Sequence, residues 1–146
     1  TLLKLCPNGK VQGIDYSAVS VEKARKVNAG AIAAGRCTVQ QASVAELPFA
    51  AEQFEVVTAF ETVYFWPELV QNFGEVYRVL KPGGVFFICN EANGETAKDD
   101  KWTQIINGMT IYTDTALKAY LEQAGFCKIQ SHKNKKGWLC VTAQKR

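Results

Sequence analysis

Histidine is nearly absent: one residue in 146, His132. That excludes a histidine-rich metal centre and leaves a Ser-His-Asp triad a poor fit. Methionine is as scarce, with Met109 the single example, and proline occurs four times. No run approaches the ~18 apolar residues of a membrane-spanning helix. Charge of one sign is also lacking. Seventeen Lys and Arg face 14 Asp and Glu, a net charge of +3, too small by itself to imply a nucleic-acid partner. The five cysteines, Cys6, Cys37, Cys89, Cys127 and Cys140, form no C-x-x-C pair. An odd number set mostly in apolar runs reads as reduced thiols serving as small core residues in a cytoplasmic setting.

What is present is ordinary globular material, 47% hydrophobic and 21% charged. A chain of this length is expected to form a single domain over 1–146, burying roughly two-thirds of its unfolded surface without a disulfide or metal. Strand-like and helix-like stretches alternate. Leu2, Leu3 and Leu5 open a helix closed by Pro7-Asn8-Gly9, and 10–14 is a short strand ending at Asp15. Ser17 caps a helix running to about Ala34, with Gly35 at its left-handed end. Residues 37–40 form a second strand, and 54–60, nearly all apolar, a third buried on both faces. Pro67 suits the first position of a helix carrying Leu69, Val70, Phe73, Val76, Tyr77 and Leu80. Lys81-Pro82-Gly83-Gly84 stops it and leads into an apolar strand, 85–89. The stretch 91–110 is polar and weakly patterned. Thr113 caps a last helix, and strands at 126–131 and 138–142 flank the basic turn Lys133 to Gly137. Alternation predicts an α/β fold with a mostly parallel sheet, and the short final turn forces its last two strands antiparallel.

Ligands of open α/β sheets bind at the carboxyl ends of the strands. Asp15-Tyr16 closes the first strand, where an acid can accept two hydrogen bonds from a ribose diol or merely cap a helix. Ala42-Ser43-Val44 follows the second, offering a hydroxyl and backbone N–H groups to an adenine edge or forming a plain turn. After the third come Ala59, Phe60, Glu61 and then Tyr64, Phe65 and Trp66. The aromatics read as core first, and Glu61 and Tyr64 are the nearby groups able to bind or polarise a substrate. Asn90-Glu91 ends the fourth strand and opens a long loop suited to a lid. The basic turn reads as a solvated hairpin tip.

Four segments in this order, GKVQGIDYSAVSVEKARKVN, VQQASVAELPFAAEQFEVVTAFETVYFWPEL, EVYRVLKPGGVFFICNE and YTDTALKAYLEQAGFCKIQSHKNKKGWLCVTAQK, span essentially the whole chain. Together the sequence resembles a class I S-adenosylmethionine-dependent methyltransferase of the type 11 domain, in its small bacterial branch. The resemblance implies a Rossmann-like sandwich of seven strands with the last reversed, S-adenosylmethionine as cofactor, and a small-molecule methyl acceptor. It gives Asp15 the ribose hydroxyls and Tyr16 the place beside the adenine. Ser43, with Val44 next to it, stands where the family often has an Asp reading the adenine amino group. Ala59, Phe60 and Glu61 follow the strand beside the methionine moiety. Glu61 or Tyr64 then serves as the base where an acceptor must lose a proton. No metal and no membrane are implied.

The family's first strand and its D-x-G-x-G-x-G loop are missing from these 146 residues. By the resemblance Thr1 falls in the helix after that loop, and the missing strand belongs between those ending at Asp15 and Phe60. The expectation is an N-terminally incomplete form that binds S-adenosylmethionine at least ~10-fold more weakly than a longer one. It would close the gap by pairing the two strands directly or by homo-oligomer formation through their free edges. Two other readings stand beside this: a nicotinamide-dependent oxidoreductase, and a non-catalytic fragment associating with another chain.

Overall fold

The computed structural model describes residues 1–146, the side chains at positions 97, 98 and 100 excepted. The chain divides into two units, 1–46 and 47–146. In the first, α1 (Leu2–Leu5), β1 (Val11–Asp15), α2 (Ala18–Val27), α3 (Ala29–Ala33) and β2 (Cys37–Gln41) follow one another. β1 and β2 pair in parallel, Val11 opposite Cys37 through Asp15 opposite Gln41. Ser17 caps α2 as the sequence predicts, its hydroxyl accepting from the Ser20 N–H at 3.4 Å. The single helix expected to Ala34 is two, however. Asn28 leaves helical geometry at φ −106°, ψ 15°, and its side-chain amide donates to the Ala24 carbonyl at 2.8 Å. A short polar side chain that bonds its own backbone competes with the helix in this way. Gly35, at φ +68°, takes the left-handed turn anticipated for it. The Arg36 guanidinium donates to the carbonyls of Leu3 and Cys6 at 3.2 and 2.7 Å, fastening the N-terminal turn to the start of β2.

The second unit holds β3 (Phe54–Phe60), a 3-10 turn (Val63–Phe65), α4 (Leu69–Val79), β4 (Leu80–Asn90), α5 (Ala97–Ile105), α6 (Asp114–Gln123), β5 (Cys127–Lys133) and β6 (Leu139–Gln144). Its sheet runs β3-β4-β6-β5. β3 and β4 are parallel, and β6 is antiparallel to both β4 and β5. The reversed last pair with β5 at one edge is the arrangement the short basic turn requires. One face of this sheet carries the core. Phe86 stacks on Trp66 at 6.2 Å and meets Phe73 and Phe126 at 5.6 and 5.9 Å. Phe73, Phe86, Leu117, Leu121 and Leu139 are wholly enclosed, each worth about 1.5–3 kcal/mol of apolar burial.

Four local expectations are corrected. β3, expected to be buried on both faces, stands at an edge of its sheet and leaves Val56 and Phe60 57% and 48% exposed. α4 begins at Leu69, not Pro67, because Glu68 adopts φ +43° and the Asn72 amide donates to the Pro67 carbonyl. β4 takes in Lys81 to Gly84, a shift of register between Phe54 and Val56 absorbing the extra residues. The 91–110 stretch, expected to be irregular, contains α5.

The described residues give six strands in sheets of two and four, against the seven that the resemblance implies. β2 is the partner of β1, and β4 the partner of β3. No helix of the described residues is long and apolar enough to cross a membrane.

Candidate functional site

At the carboxyl end of β1, Asp15 is half-buried and Tyr16 is 75% exposed. One carboxylate oxygen of Asp15, Oδ1, accepts from the Ser17 N–H at 2.8 Å. The contact holds the carboxylate at the mouth of α2. Its other oxygen has no protein partner among the described contacts, which suits a group reading a diol. Gln41 at the end of β2 donates to the Tyr16 carbonyl at 2.8 Å, fixing the backbone between the two strand ends. Ser43 is exposed and Val44 half-buried. The Ser43 hydroxyl accepts from the Ala45 N–H at 3.2 Å, so it is partly spent on its own turn. Asp15, Tyr16, Ser43 and Val44 thus lie at one end of the parallel pair. Asp15 is held in place, and Tyr16 is free to lie against a planar ring.

The second group lies at the carboxyl ends of β3 and β4. Ala59 is buried at 4% exposure, while Phe60 is exposed and packs on Phe87 at 5.7 Å. Glu61 adopts φ +57°, a left-handed backbone unusual for a residue with a side chain. Two hydrogen bonds hold it there. Its N–H donates to the Cys89 carbonyl at 3.1 Å, and its Oε1 accepts from the Glu91 N–H at 2.6 Å. The carboxyl is therefore presented at the strand end rather than trailing along the surface. Partial desolvation raises its pKa, with the Glu91 charge adding to that, while the hydrogen bond from the Glu91 N–H works the other way.

Tyr64 is enclosed at 3% exposure. Its hydroxyl donates to the Ala92 carbonyl at 3.1 Å and accepts from the Ala92 N–H at 2.8 Å. Burial, with the Glu61 charge second, pushes its pKa far up. This phenol stays protonated and clasps the chain after β4 to the 3-10 turn after β3. Thr110 extends the clasp, its N–H donating to the Tyr64 carbonyl at 2.9 Å. Sequence reading missed Asp99, whose Oδ2 accepts from the N–H groups of Asn93 and Gly94 at 3.2 and 2.8 Å. The missed α5 carries it, and a lone acid in a polar stretch gives no signal. Among the described residues, no group of three or more His, Cys, Asp and Glu is placed to hold a metal ion.

The chain was compared with known proteins. Residues 1–88 match a family described as "Methyltransferase domain". An arsenite methyltransferase of Halobacterium salinarum is 32% identical over 126 residues, covering 82% of this chain and 32% of that protein. A demethylmenaquinone methyltransferase of Symbiobacterium thermophilum is 36% identical over 90 residues, covering 62% and 36%. The chain thus spans about a third of the length of these curated relatives. Among solved structures, the complex of the Haloferax volcanii Trm112 methyltransferase activator with a methyltransferase matches with a TM-score of 0.85 at 19% identity. That match covers 98% of this chain and 76% of that one. The [4+2]-cyclase SpnF matches with a TM-score of 0.77 at 18% identity, covering 99% and 70%. Likeness at such identities speaks for the fold alone, and a cyclase among the neighbours makes that limit concrete.

Proposed function

The chain belongs to the methyltransferase-domain family of class I S-adenosylmethionine-dependent enzymes, and from that premise we propose that it transfers the methyl group of S-adenosylmethionine to a small-molecule acceptor. The family match leaves the nicotinamide-oxidoreductase and non-catalytic readings without support. It also runs from 1 to 88, across the division at residues 46 and 47, which supports reading the two units as parts of one methyltransferase domain. The single observation that carries the cofactor assignment is Asp15: a half-buried strand-end carboxylate with one oxygen held by Ser17 and the other without a protein partner.

The residues present fit the adenosine end of the cofactor. Asp15 accepts from the ribose hydroxyls, Tyr16 lies against the adenine, and the backbone at Ser43 and Val44 meets its edge, with a weak contribution from the Ser43 hydroxyl. By the resemblance to the family, Ala59 and Phe60 are the residues assigned to the methionine moiety. The bound cofactor supplies a methyl group activated on a sulfonium, and displacement there asks the protein for orientation and exclusion of water more than for covalent help. Phe60 and the clasped 91–99 segment provide that exclusion. Glu61 takes the proton when the acceptor has one to lose, its raised pKa bringing it nearer the range of a working base. Tyr64 acts through Glu61 and Ala92 as a positioning residue, since its proton is engaged.

The relatives are named for acting on a quinone precursor and on arsenite, so the acceptors to try are a quinol and trivalent arsenic. The experiment is incubation with methyl-labelled S-adenosylmethionine and each acceptor. We expect label in one of them, and a drop in kcat of ~100-fold for Glu61→Gln with KM for the cofactor unchanged, the scale of general-base removal. Equal kcat in the variant would release Glu61 from the role.

A further inference from the structure

Cys89 and Cys140 stand directly opposite each other on the antiparallel strands β4 and β6. Their sulfurs are 3.4 Å apart, in contact, and both residues are buried, at 8% and 4% exposure. Facing residues of an antiparallel ladder have Cα atoms about 4.5–5.5 Å apart, inside the ~4.4–6.8 Å that a disulfide spans. Two thiols so placed need no backbone movement to join. None of the five cysteines is bonded, and neither member of this pair has a part in the methyl-transfer reading.

We propose that Cys89 and Cys140 form a thiol–disulfide couple that a peroxide closes. One sulfur attacks a peroxide oxygen, the O–O bond breaks, and the departing oxygen takes up that thiol's proton as water or an alcohol. The resulting sulfenic acid meets the second thiol at once. An S–S bond forms, the S–O bond breaks, and hydroxide leaves with the second proton as water. The two sulfurs are oxidised by two electrons in all and the peroxide is reduced by two. Burial, with the Cys140 contact second, pushes the Cys89 thiol up, so little of it is thiolate and the couple closes slowly. That suits sustained oxidant rather than a first-line peroxide trap. The rung is also functionally placed. The Cys89 carbonyl holds the Glu61 N–H at 3.1 Å, so closure staples β4 to β6 beneath the turn that presents Glu61. The inference is independent of which group the protein transfers.

The test is thiol counting on the purified protein after exposure to hydrogen peroxide, by denaturation, alkylation and mass spectrometry. Of the five thiols, we expect two to be lost, a cross-linked peptide joining the segments around Cys89 and Cys140, and full recovery of both with dithiothreitol. The thermal midpoint should rise by several degrees on oxidation and fall back on reduction, as a cross-link closing a long loop requires. Neither Cys89→Ser nor Cys140→Ser should form a cross-linked peptide, and each should lose at most the one thiol left without its partner, whereas Cys6→Ser should still lose two and cross-link. Five alkylated thiols after peroxide, a cross-link through Cys6, Cys37 or Cys127, or irreversible sulfinic acid at either position would each overturn the proposal. Should the serine variants fail to fold, the cross-linked peptide of the unaltered chain decides alone.

Discussion

A carboxylate does its work with whichever oxygen the protein has left unengaged, and Asp15 has one held and one available. Asp15→Ala is expected to weaken S-adenosylmethionine binding by about 1.5–3 kcal/mol, the worth of a charge-assisted hydrogen bond. Asp15→Asn keeps an acceptor for the Ser17 N–H and separates the ligand's loss from a local one. Ser43→Ala should lose much less, since that hydroxyl already serves Ala45. Calorimetry on the three variants checks the order, and unchanged affinity in Asp15→Ala would remove that residue from the site. Glu61 makes stability depend on pH. Desolvation lifts its pKa above the ordinary 4.5, so the folded state holds that proton more tightly than the unfolded chain. The group favours folding at low pH and costs stability once pH rises through its folded value. Glu61→Gln keeps the acceptor for the Glu91 N–H. It should be at least as stable as the parent at pH 7, with the difference closing below about pH 4.5. Urea unfolding at the two pH values reads this directly, and a variant less stable at both would contradict the assigned cause.

Among the elements, α4 carries the fastening on which the 47–53 segment depends. Arg78 forks onto both oxygens of Glu75 at 2.8 Å, and donates to the Phe49 and Leu47 carbonyls at 2.8 and 3.0 Å. Glu75 in turn accepts from the Leu47 N–H at 2.9 Å. A lysine offers one point charge in place of this fork, so Arg78→Lys should cost about 1–2 kcal/mol in urea unfolding. The Arg78 hydrogen bond holds the Glu75 carboxyl below its ordinary 4.5. The stabilisation is therefore present above that value and lost as pH falls through the lower folded one. Glu75→Gln should be less stable than the parent at pH 7 and converge with it as pH falls through the lowered folded value. Gly84 makes a steric counterpart: a Cβ there would stand 2.8 Å from the Lys81 carbonyl oxygen and 3.1 Å from that of Glu55. Gly84→Ala should destabilise the β3–β4 pair by roughly 1–3 kcal/mol, as overpacking does; an unchanged denaturant midpoint would contradict that contact. Elements with strong patterns were legible in the sequence. The run 54–60, the Thr113 cap and the reversed final pair follow from apolar continuity, a hydroxyl at the right offset and a turn too short for a crossover. The break at Asn28 and the late start of α4 were not, because each depends on an amide choosing a backbone carbonyl over the helix. α5 was hidden because its 97–105 sequence carries no strong apolar stripe.

Across the molecule, the family match over residues 1–88 takes in residues of both units. The placement of Asp15 and Glu61 at strand ends was legible because each ends or directly follows a strand-like run. The spent hydroxyl of Tyr64 was not, since its partner Ala92 lies 28 positions away across an unpatterned loop. Nor did the sequence disclose that Cys89 and Cys140 face each other, because β6 inserts between β4 and β5 rather than following in chain order. The central claim is that this fold holds S-adenosylmethionine through Asp15. Isothermal titration of the cofactor, and separately of a nicotinamide dinucleotide, into the parent and Asp15→Ala proteins tests it most directly. The account expects saturable heat with S-adenosylmethionine alone, weakened at least ~10-fold in the variant. Saturable heat with the nicotinamide, or equal S-adenosylmethionine affinity in both proteins, would contradict it.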